Sequence, residues 1–415
     1  MNISFYLPFV SCHGTANKKV APTARQAGDA MTIPPPPWFP PSFLVPYAAA
    51  DLLQLSTQGL DGMALYGFLQ EQRHDICIAS TYCSRGTYLK PWGFSLLKEQ
   101  RKVALSRQST TKSTVWLSCH CSDTAPDLLG PHCRRHLSIP YVVYQPIPPE
   151  HGHRFKIGSL AGQWLNRRAL QRADLVFIDR KTTEQQLRHA LPLQRIQYIK
   201  PRLNPDHFSF DLVARRALRE YWSVGEQRIV MTTAMLRPGV KTIGVRKVID
   251  SCQRLRQRGL ETLLVIAGDG LDRTLLEREA REKLADQVIF IGKIPRHDLY
   301  RYYSAADVFA FPGIQESRGL VFLEAQAAGL PVVACADWSA ADTVVHEKTG
   351  LLAPASQPDR FTGYLERILT NREERITMRE AAKNHVRSNH AAEDGYRLVQ
   401  RAMEKIVARK NQAYS

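Results

Sequence analysis

Short apolar runs separated by longer mixed segments recur along the chain and predict its secondary structure. In the first half these runs are Ile76–Ala79, Val115–Ser118, Tyr141–Tyr144, Leu175–Ile178 and Ile196–Ile199. Continuous apolar runs of this length are typical of parallel strands buried on both faces. Helix-like stretches lie between them, near 125–137, 157–172 and 181–190. This alternation predicts a parallel sheet covered by helices, in a domain that ends near Phe208.

The second half of the chain repeats the alternation. A helix predicted from Asp211 to Tyr221 leads into apolar runs at Ile229–Met235, Thr262–Ala267, Val288–Ile291, Val308–Phe311, Pro331–Ala334 and Leu351–Leu352. After Asp359 the pattern is helical almost to the end of the chain. Because 415 residues exceed what one hydrophobic core usually organises, we predict an α/β protein with two Rossmann-like domains.

Residues 1–46 depart from this pattern. They begin strand-like at Asn2–Val10, without the basic region of a signal peptide, and later pass through the proline-rich segment Pro34–Pro41. Consecutive prolines fit neither a helix nor a central strand, so we predict an extended surface loop. It is either a loop that contacts a substrate or partner, or an insertion without chemical consequence.

The segment Phe311–Cys335 is typical of a ligand-binding loop between a strand and a helix. Glu316 follows the apolar run that ends at Phe311, and Gly319 opens a predicted helix that carries Glu324. In open α/β sheets, ligands bind in such loops at the carboxyl ends of the strands. We therefore expect the ligand site of the second domain in this segment.

The start of this helix is the first candidate contact for a ligand. The backbone N–H groups of Gly319, Leu320 and Val321 would point toward an anion, and glycine lets a phosphate approach closely. Glu316 would repel a phosphate, so it fits the loop only if it faces hydroxyl groups. Glu324 lies about one and a half turns into the helix, so both carboxylates could flank one extended ligand. A sugar nucleotide fits this description; the alternative is a solvated Glu316 and a Glu324 in a surface ion pair.

Four further motifs surround the glutamate segment. They are Val265–Gly270 (VIAGDG), Val288–Pro295 (VIFIGKIP), Ala305–Val308 (AADV) and Glu347–Leu352 (EKTGLL). Together, over roughly residues 228–350, they resemble the retaining glycosyltransferases of family 4, also called group 1, which have the GT-B fold. The first half of the chain shows only a faint likeness.

The resemblance implies a domain arrangement and an activity. In the GT-B fold two Rossmann-like domains face each other across a cleft, and the last helix crosses back to the first domain. We therefore expect an acceptor-side domain at 1–208, a nucleotide-sugar domain at 209–390 and a returning helix at 391–415. The implied activity is retaining transfer of a sugar from a nucleotide-sugar donor to a glycan or lipid-linked acceptor, in cell-surface polysaccharide or lipopolysaccharide synthesis. No cofactor and no metal are implied.

In this family an arginine and a lysine, six residues apart after the first strand of the second domain, stabilise the leaving diphosphate. The lysine corresponds to Lys241, whereas Met235 occupies the arginine position. We expect Arg237, in the same loop, to replace that arginine, with Arg318 as a second candidate. Each of these cations could otherwise be a solvated loop residue.

The resemblance also assigns the remaining contacts of the donor. Glu316 would accept hydrogen bonds from hydroxyls of the donor sugar or stabilise positive charge on its ring, and Glu324 would bind the ribose hydroxyls. Gly268 would lie in the cleft wall, and Ile294 would border the base. A single Gly-x-Gly without the third glycine is not by itself a dinucleotide fingerprint.

The acceptor side is represented by Gln145. Related enzymes often carry a histidine at this place, after the strand Tyr141–Tyr144. A glutamine can position a hydroxyl but cannot act as a base, and His151 and His153 nearby are more typical of solvated loop residues. A retaining front-face mechanism needs no protein base, because the leaving phosphate oxygen can take the acceptor proton. The missing histidine therefore bears on acceptor identity.

Positive charge is concentrated in the first half. Of the net charge of +17, residues 1–225 account for +12, with 27 basic and 15 acidic residues. Anionic partners follow, among them nucleotides and an anionic membrane surface, to which each Lys or Arg contributes about 1 kcal/mol. No run of about 20 apolar residues predicts a membrane span, so we expect a cytoplasmic protein, with peripheral contact at the inner face of the membrane. Nucleic-acid binding lacks support beyond charge.

Three alternatives stay open at this point. The cluster Cys119–Cys121 with His132 and Cys133 could hold zinc, although it lacks the usual Cys-x2-Cys spacing and reduced, buried cysteines are the expectation. Met235 and Gln145 also suit a catalytically silent GT-B partner subunit. A nucleotide-sugar epimerase would need acid and base residues that the first half does not reveal.

Overall fold

The computed structural model describes residues 1–6, 57–80, 82–111, 113–147 and 157–412. They form two compact units. Unit 1 comprises the described residues up to Ile199 together with those from Glu393 onward, and unit 2 comprises Lys200–Ala392. The proline-rich segment Pro34–Pro41 and the histidines at 151 and 153 lie outside the described residues, as does the predicted first strand beyond Tyr6.

Unit 1 is built on a six-stranded sheet with the order β2-β1-β3-β4-β5-β6 and only parallel pairs. The strands are β1 (Asn2–Tyr6), β2 (Asp75–Ile78), β3 (Val115–Cys119), β4 (Tyr141–Tyr144), β5 (Leu175–Ile178) and β6 (Ile196–Tyr198). The helices are α1 (Thr57–Glu71), α2 (Pro91–Thr111), α3 (Gly130–Leu137), α4 (Ile157–Gln171) and α5 (Lys181–Arg188). The predicted strands and the parallel sheet are confirmed. Helices α1 and α2 were not predicted, because neither has a clean apolar stripe.

Helices cover both faces of this sheet. Phe5 and Tyr6 point to opposite faces, as neighbours on a strand do. The Phe5 ring contacts Tyr66 of α1 at 5.3 Å between centroids, whereas Tyr6 packs with Trp116. Trp116 belongs to a buried cluster that includes Leu97 of α2, Cys133 of α3 and Leu170 of α4. Therefore α2, α3 and α4 cover one face of the sheet, and α1 covers the other.

Unit 2 has a second six-stranded parallel sheet, with the order β12-β11-β10-β7-β8-β9. The strands are β7 (Arg228–Thr233), β8 (Thr262–Ala267), β9 (Val288–Gly292), β10 (Val308–Ala310), β11 (Val332–Cys335) and β12 (Gly350–Ala353). The helices are α6 (Leu212–Tyr221), α7 (Val240–Gln257), α8 (Arg273–Leu284), α9 (Leu299–Ala305), α10 (Leu320–Ala327), α11 (Ala340–Thr343), α12 (Pro358–Thr370) and α13 (Arg372–Asn389). These strands confirm the α/β prediction for the second half.

The chain passes between the units at Lys200 and again near Ala392. We placed residues up to Phe208 in the first domain, but Phe208 is buried in the core of unit 2 and Leu203 pairs with Ala391. The last helix, α14 (Ala392–Gln412), belongs to unit 1 from Glu393 onward. Its Tyr396 hydroxyl donates to Asp61 of α1 over 2.9 Å.

Two further observations concern the described ranges. None of their helices combines the length and the apolar content needed to cross a bilayer. Their cysteines are free thiols, at positions Cys77, Cys83, Cys119, Cys121, Cys133, Cys252 and Cys335.

Candidate functional site

The topology of unit 2 gives its sheet a switch point in strand order. From β7 the chain continues to β8 on one side, whereas β10 lies on the other side, so the strand order reverses between β7 and β10. Ligands of open α/β sheets bind at such a switch point, beyond the carboxyl ends of the strands. Here the loop after β7 leads to Lys241, and the loop after β10 carries Glu316. Lys241 and Glu316, two of the residues singled out in the sequence, therefore lie at the same end of the sheet.

Lys241 and Glu316 form an ion pair. The Lys241 Nζ donates a hydrogen bond to Glu316 Oε2 and lies 5.3 Å from the centroid of the Phe311 ring. Both side chains are mostly shielded, with 23% and 20% exposure. The Glu316 loop is shaped by Gly313 at φ +73°, where a Cβ would come within 2.8 Å of the Phe322 ring. A lysine ammonium has three protons, so the pair leaves Lys241 able to bind a second anionic group.

The start of α10 is held closely against α11. Gly319 has φ +67°, and a Cβ at this position would lie 2.9 Å from Thr343 Oγ1. Glycine is therefore required both for the backbone conformation and for the space. Leu320 and Val321 are half-buried behind it. The preceding Arg318 is only 7% exposed, so it is not the solvated loop cation of the alternative interpretation.

Glu324 is a buried carboxylate with its own cation. Arg296 Nε donates to Glu324 Oε1 over 2.8 Å, and the Tyr303 hydroxyl donates to Oε2 over 3.5 Å. Burial raises the pKa of Glu324 above its ordinary value, Arg296 opposes this rise, and the charge of Glu316 adds to it. The alternative of a surface ion pair for Glu324 is wrong, because the carboxylate is buried.

Arg296 was missed in the sequence. Its guanidinium stacks over Phe208 at 5.2 Å from the ring centroid while its Nε holds Glu324. It lies two positions after Ile294, which is half-buried, in the turn that follows β9. The available signal was that Arg296 directly follows the VIFIGKIP motif. Nothing in the sequence, however, pairs that turn with α10.

The loop after β7 is fixed by its own hydrogen bonds. The Thr242 hydroxyl lies 2.8 Å from the Arg237 carbonyl oxygen and 2.6 Å from Asp272 Oδ2. Within this loop the side chains of Met235 and Arg237 are exposed, Met235 by 54%. The loop therefore presents Arg237 to solvent near Lys241.

Only glycine fits at position 268, where two loops of unit 2 meet. It has φ +141°, and a Cβ there would lie 1.8 Å from the Ala234 carbonyl oxygen, so the loops after β7 and β8 touch at this glycine. Its N–H donates to the Gly292 carbonyl over 2.7 Å. Any larger residue would push these loops apart. Its predicted place in a ligand-lined wall stays a prediction.

Gln145 lies in unit 1, directly after β4. It is 3% exposed and has φ +49°, an uncommon conformation for a residue with a side chain. Its backbone N–H donates to Phe177 over 2.8 Å. Gln145 is therefore held in a defined, strained position, which is frequent at functional sites.

The cysteine cluster of unit 1 has the properties of core residues. Cys119, Cys121 and Cys133 are buried, and burial raises the pKa of each thiol, that of Cys133 to about 12. A zinc ligand must be a thiolate, which these surroundings disfavour. Among the residues that the structure describes, no group of three or more His, Cys, Asp or Glu side chains is placed to hold a metal.

Comparison with known proteins adds three findings. The family model described as "Glycosyl transferases group 1" matches residues 227–385. The GDP-mannose-dependent alpha-(1-6)-phosphatidylinositol monomannoside mannosyltransferase of Mycolicibacterium smegmatis is 31% identical over 297 residues, which cover 68% of this chain and 72% of that protein. The protein of the same name from Mycobacterium tuberculosis is 32% identical over 203 residues, covering 47% of this chain and 52% of its relative. The match thus spans about half the length of the M. tuberculosis protein.

Among solved structures, Anabaena Alr3699/HepE in complex with UDP-glucose is similar in fold. The TM-score is 0.60 at 15% sequence identity, and the match covers 82% of this chain and 89% of that one. At this identity the likeness concerns the fold alone.

Proposed function

The chain belongs to the glycosyl transferases of group 1 and has their GT-B fold, and from this premise we propose that it moves a sugar from a nucleotide-sugar donor to a lipid-linked glycan acceptor. The observation that carries the proposal is the Lys241–Glu316 ion pair at the switch point of unit 2, with the buried Glu324 on α10, the helix that follows the Glu316 loop. Because the mycobacterial relatives are named for GDP-mannose and a phosphatidylinositol glycolipid, GDP-mannose is the first donor to test.

The leaving diphosphate is stabilised by Lys241 and Arg237, together with the backbone N–H groups of Gly319, Leu320 and Val321 at the start of α10. Preorganised cations and N–H groups stabilise charge as it develops on a leaving group. Lys241 also holds Glu316, so the same contact orients the carboxylate that accepts hydrogen bonds from the donor sugar.

Glu324 binds the ribose hydroxyls. A carboxylate accepts two hydrogen bonds from a vicinal diol only when it is ionised, and burial raises the pKa of Glu324. Arg296, which donates to Glu324 Oε1, favours the ionised form. When the donor binds, the ribose hydroxyls either share Glu324 with Arg296 or take the place of Arg296.

The reaction retains the anomeric configuration. The anomeric C–O bond to the leaving phosphate breaks on the face where the acceptor oxygen attacks, and the leaving phosphate oxygen takes the acceptor proton. Gln145 positions the acceptor hydroxyl, and no protein base, metal or cofactor takes part. The acceptor is a membrane lipid, in synthesis of a cell-surface polysaccharide or lipopolysaccharide, so the protein works at the inner face of a membrane.

The test is donor hydrolysis by the purified chain with a panel of UDP-, GDP- and ADP-sugars. We expect turnover of one donor class and a loss of at least about a hundredfold in Glu316→Gln, because an interaction with the reacting sugar is removed. Glu282→Gln, an exposed position on α8, is the matched control and should retain full activity.

Two outcomes would contradict the proposal. Binding of no nucleotide in calorimetry would favour the catalytically silent partner subunit, which the exposed Met235 at the family's arginine position also suits. Conversion of the donor into an epimer without transfer would make the protein an epimerase.

A further inference from the structure

Of the eight large apolar side chains that are exposed in the described part of unit 1, five lie at two places in the chain. Leu160 and Trp164 of α4 are 50% and 58% exposed. Leu89, Trp92 and Phe94, around the start of α2, are 53%, 54% and 69% exposed. Single exposed apolar residues are common, but a concentration of large ones marks an interaction surface.

The geometry of α4 places two large apolar residues, Leu160 and Trp164, together on its outer side. Gly162 faces inward, since a Cβ there would lie 2.4 Å from the Tyr88 hydroxyl oxygen. Leu160 and Trp164 are each two residues from Gly162 and four from each other. At about 100° per residue they point away from Gly162 and share one stripe. The apolar pair Leu160 and Trp164 of α4 thus faces solvent.

The exposed residues of α2 belong to the same side of unit 1. Leu97 of α2 and Leu170 of α4 lie in one buried cluster, with Tyr88 packed against it. Both helices therefore cover the same face of the sheet, and their outer sides look away from it. Tyr88 lies next to Leu89 in the turn before α2, and its hydroxyl lies close to Gly162 of α4. The start of α2 is therefore close to α4.

Basic side chains accompany the exposed rings. Both charged residues of α4, Arg167 and Arg168, are basic and exposed, as is Arg172 just beyond it. The Arg168 guanidinium lies 5.1 Å from the Trp164 ring centroid, and the same three arginines line a groove of about 460 Å³ beside Trp164. Lys90 Nζ lies 5.2 Å from the Trp92 ring. Aromatic rings with adjacent cations suit the headgroup region of a bilayer, where the rings enter the interface and the cations reach lipid phosphates.

We propose that this surface docks onto an anionic lipid bilayer. The docking face consists of Leu89, Lys90, Trp92, Phe94, Leu160, Trp164, Arg167, Arg168 and Arg172. The inference rests on the lipid-linked acceptor of the proposed function and adds which part of the chain holds the membrane. Charge complementarity selects the bilayer, because helix α4 carries no acidic residue that would repel lipid phosphates.

The experiment is co-sedimentation of the full chain with vesicles of phosphatidylglycerol and phosphatidylcholine, compared with vesicles of phosphatidylcholine alone. We expect binding to the anionic vesicles only. Leu160→Ser/Trp164→Ser should weaken it at least about tenfold through lost apolar burial. Arg167→Gln/Arg168→Gln should weaken it roughly thirtyfold, at about 1 kcal/mol for each arginine, and should make it less dependent on salt.

Matched controls lie in unit 2. Val213→Ser on α6 removes a side chain that is 76% exposed, and Arg278→Gln/Arg281→Gln removes two exposed cations three residues apart on α8. Both should bind vesicles as the unchanged protein does. Equal thermal unfolding of all variants shows that a loss of binding is not a loss of folding.

Three results would overturn the inference. They are unchanged vesicle binding in both docking-face variants, equal binding to neutral vesicles, and a dimer in light scattering that Leu160→Ser/Trp164→Ser converts into a monomer. Donor hydrolysis, which needs no membrane, is measured on the same samples. A protein that hydrolyses the donor but binds no vesicles overturns the docking face alone, whereas one that binds vesicles through this face without hydrolysis overturns the proposed reaction alone.

Discussion

The two units contain parallel sheets of equal strand number, but the most buried aspartate of each has different partners. In unit 2 buried carboxylates are paired with less buried arginines, Asp307 with Arg215 and Glu324 with Arg296. In unit 1 the buried Asp127 is instead satisfied by neutral donors, including the Tyr141 hydroxyl at 2.8 Å. Unit 1 also has a buried carboxylate beside an arginine, Asp179 with Arg180 at 3.9 Å, so the difference between the units concerns Asp307 and Asp127, the most buried aspartate of each.

This difference predicts that a substitution of Asp307 strongly destabilises unit 2. Its carboxylate is 2% exposed and contacts both Arg215 and Arg219. Burial alone would raise its pKa, but Arg215 overcomes this and the pKa is lowered. Asp307→Asn leaves two shielded guanidiniums uncompensated, so we expect unit 2 to lose about 3–5 kcal/mol of stability by calorimetry. Since the folded pKa is lowered, the stabilisation is present near neutral pH and is lost as pH falls through the folded pKa.

Asp127→Asn in unit 1 is the counterpart. Burial raises the pKa of Asp127, and its partners are hydroxyls and backbone N–H groups. An amide of the same shape should therefore cost only about 1 kcal/mol. An equal loss in both variants would contradict the distinction between the units.

The second largest effect is expected at Lys241, which is proposed to stabilise the leaving diphosphate. Lys241→Met removes the cation that holds Glu316 and faces the switch point. We expect kcat/KM to fall by roughly 10²–10³, the range typical for loss of one preorganised charge-stabilising group. Arg278→Met on the exposed side of α8 is the control for charge. A fall in Arg278→Met of the same size would show that general electrostatics, not this contact, supports turnover.

Arg296→Gln should have a smaller effect with a characteristic pH dependence. Without Arg296, the Glu324 pKa, already raised by burial, rises further. The ionised fraction then falls at a given pH, so we expect donor affinity to drop about tenfold near neutral pH, to recover as pH is raised and to be partly kept in Arg296→Lys. Titration calorimetry across pH measures this. Tighter donor binding in Arg296→Gln would instead mean that Arg296 mainly competes with the ribose.

The smallest change is expected for Met235→Arg. This exposed position corresponds to the arginine of the family. Because Arg237 lies in the same loop, the added cation should raise kcat only about two- to fivefold. An unchanged kcat would mean that Arg237 alone supplies sufficient positive charge. A gain in kcat of several orders of magnitude would show that the unchanged protein is nearly inactive.

Much of the proposed donor site follows from sequence because its parts lie in local motifs. Glu316 and Gly319 belong to one loop whose position after a buried strand was readable. Arg296 was not readable, because its partner Glu324 lies 28 residues away on another element. Arg318 could be identified as a cation, but its burial depends on packing.

In unit 1 the strands were predicted from their apolar runs, whereas α2 and the outer face of α4 were not. Exposed residues such as Trp92 and Trp164 break the amphipathic pattern on which helix prediction rests. The same exposed aromatic residues form part of the docking face. Sequence alone could not tell these residues from core residues.

The sequence by itself determined the two α/β domains and the residue types at the switch point, because strand patterns and local motifs depend on near neighbours. Only the tertiary structure decided which charges pair. It joined Lys241 to Glu316 across 75 positions, covered Glu324 with Arg296 and left Trp164 in solvent. Pairing and burial depend on long-range packing, and they decide whether a charged or apolar side chain binds a ligand, stabilises the core or faces a membrane.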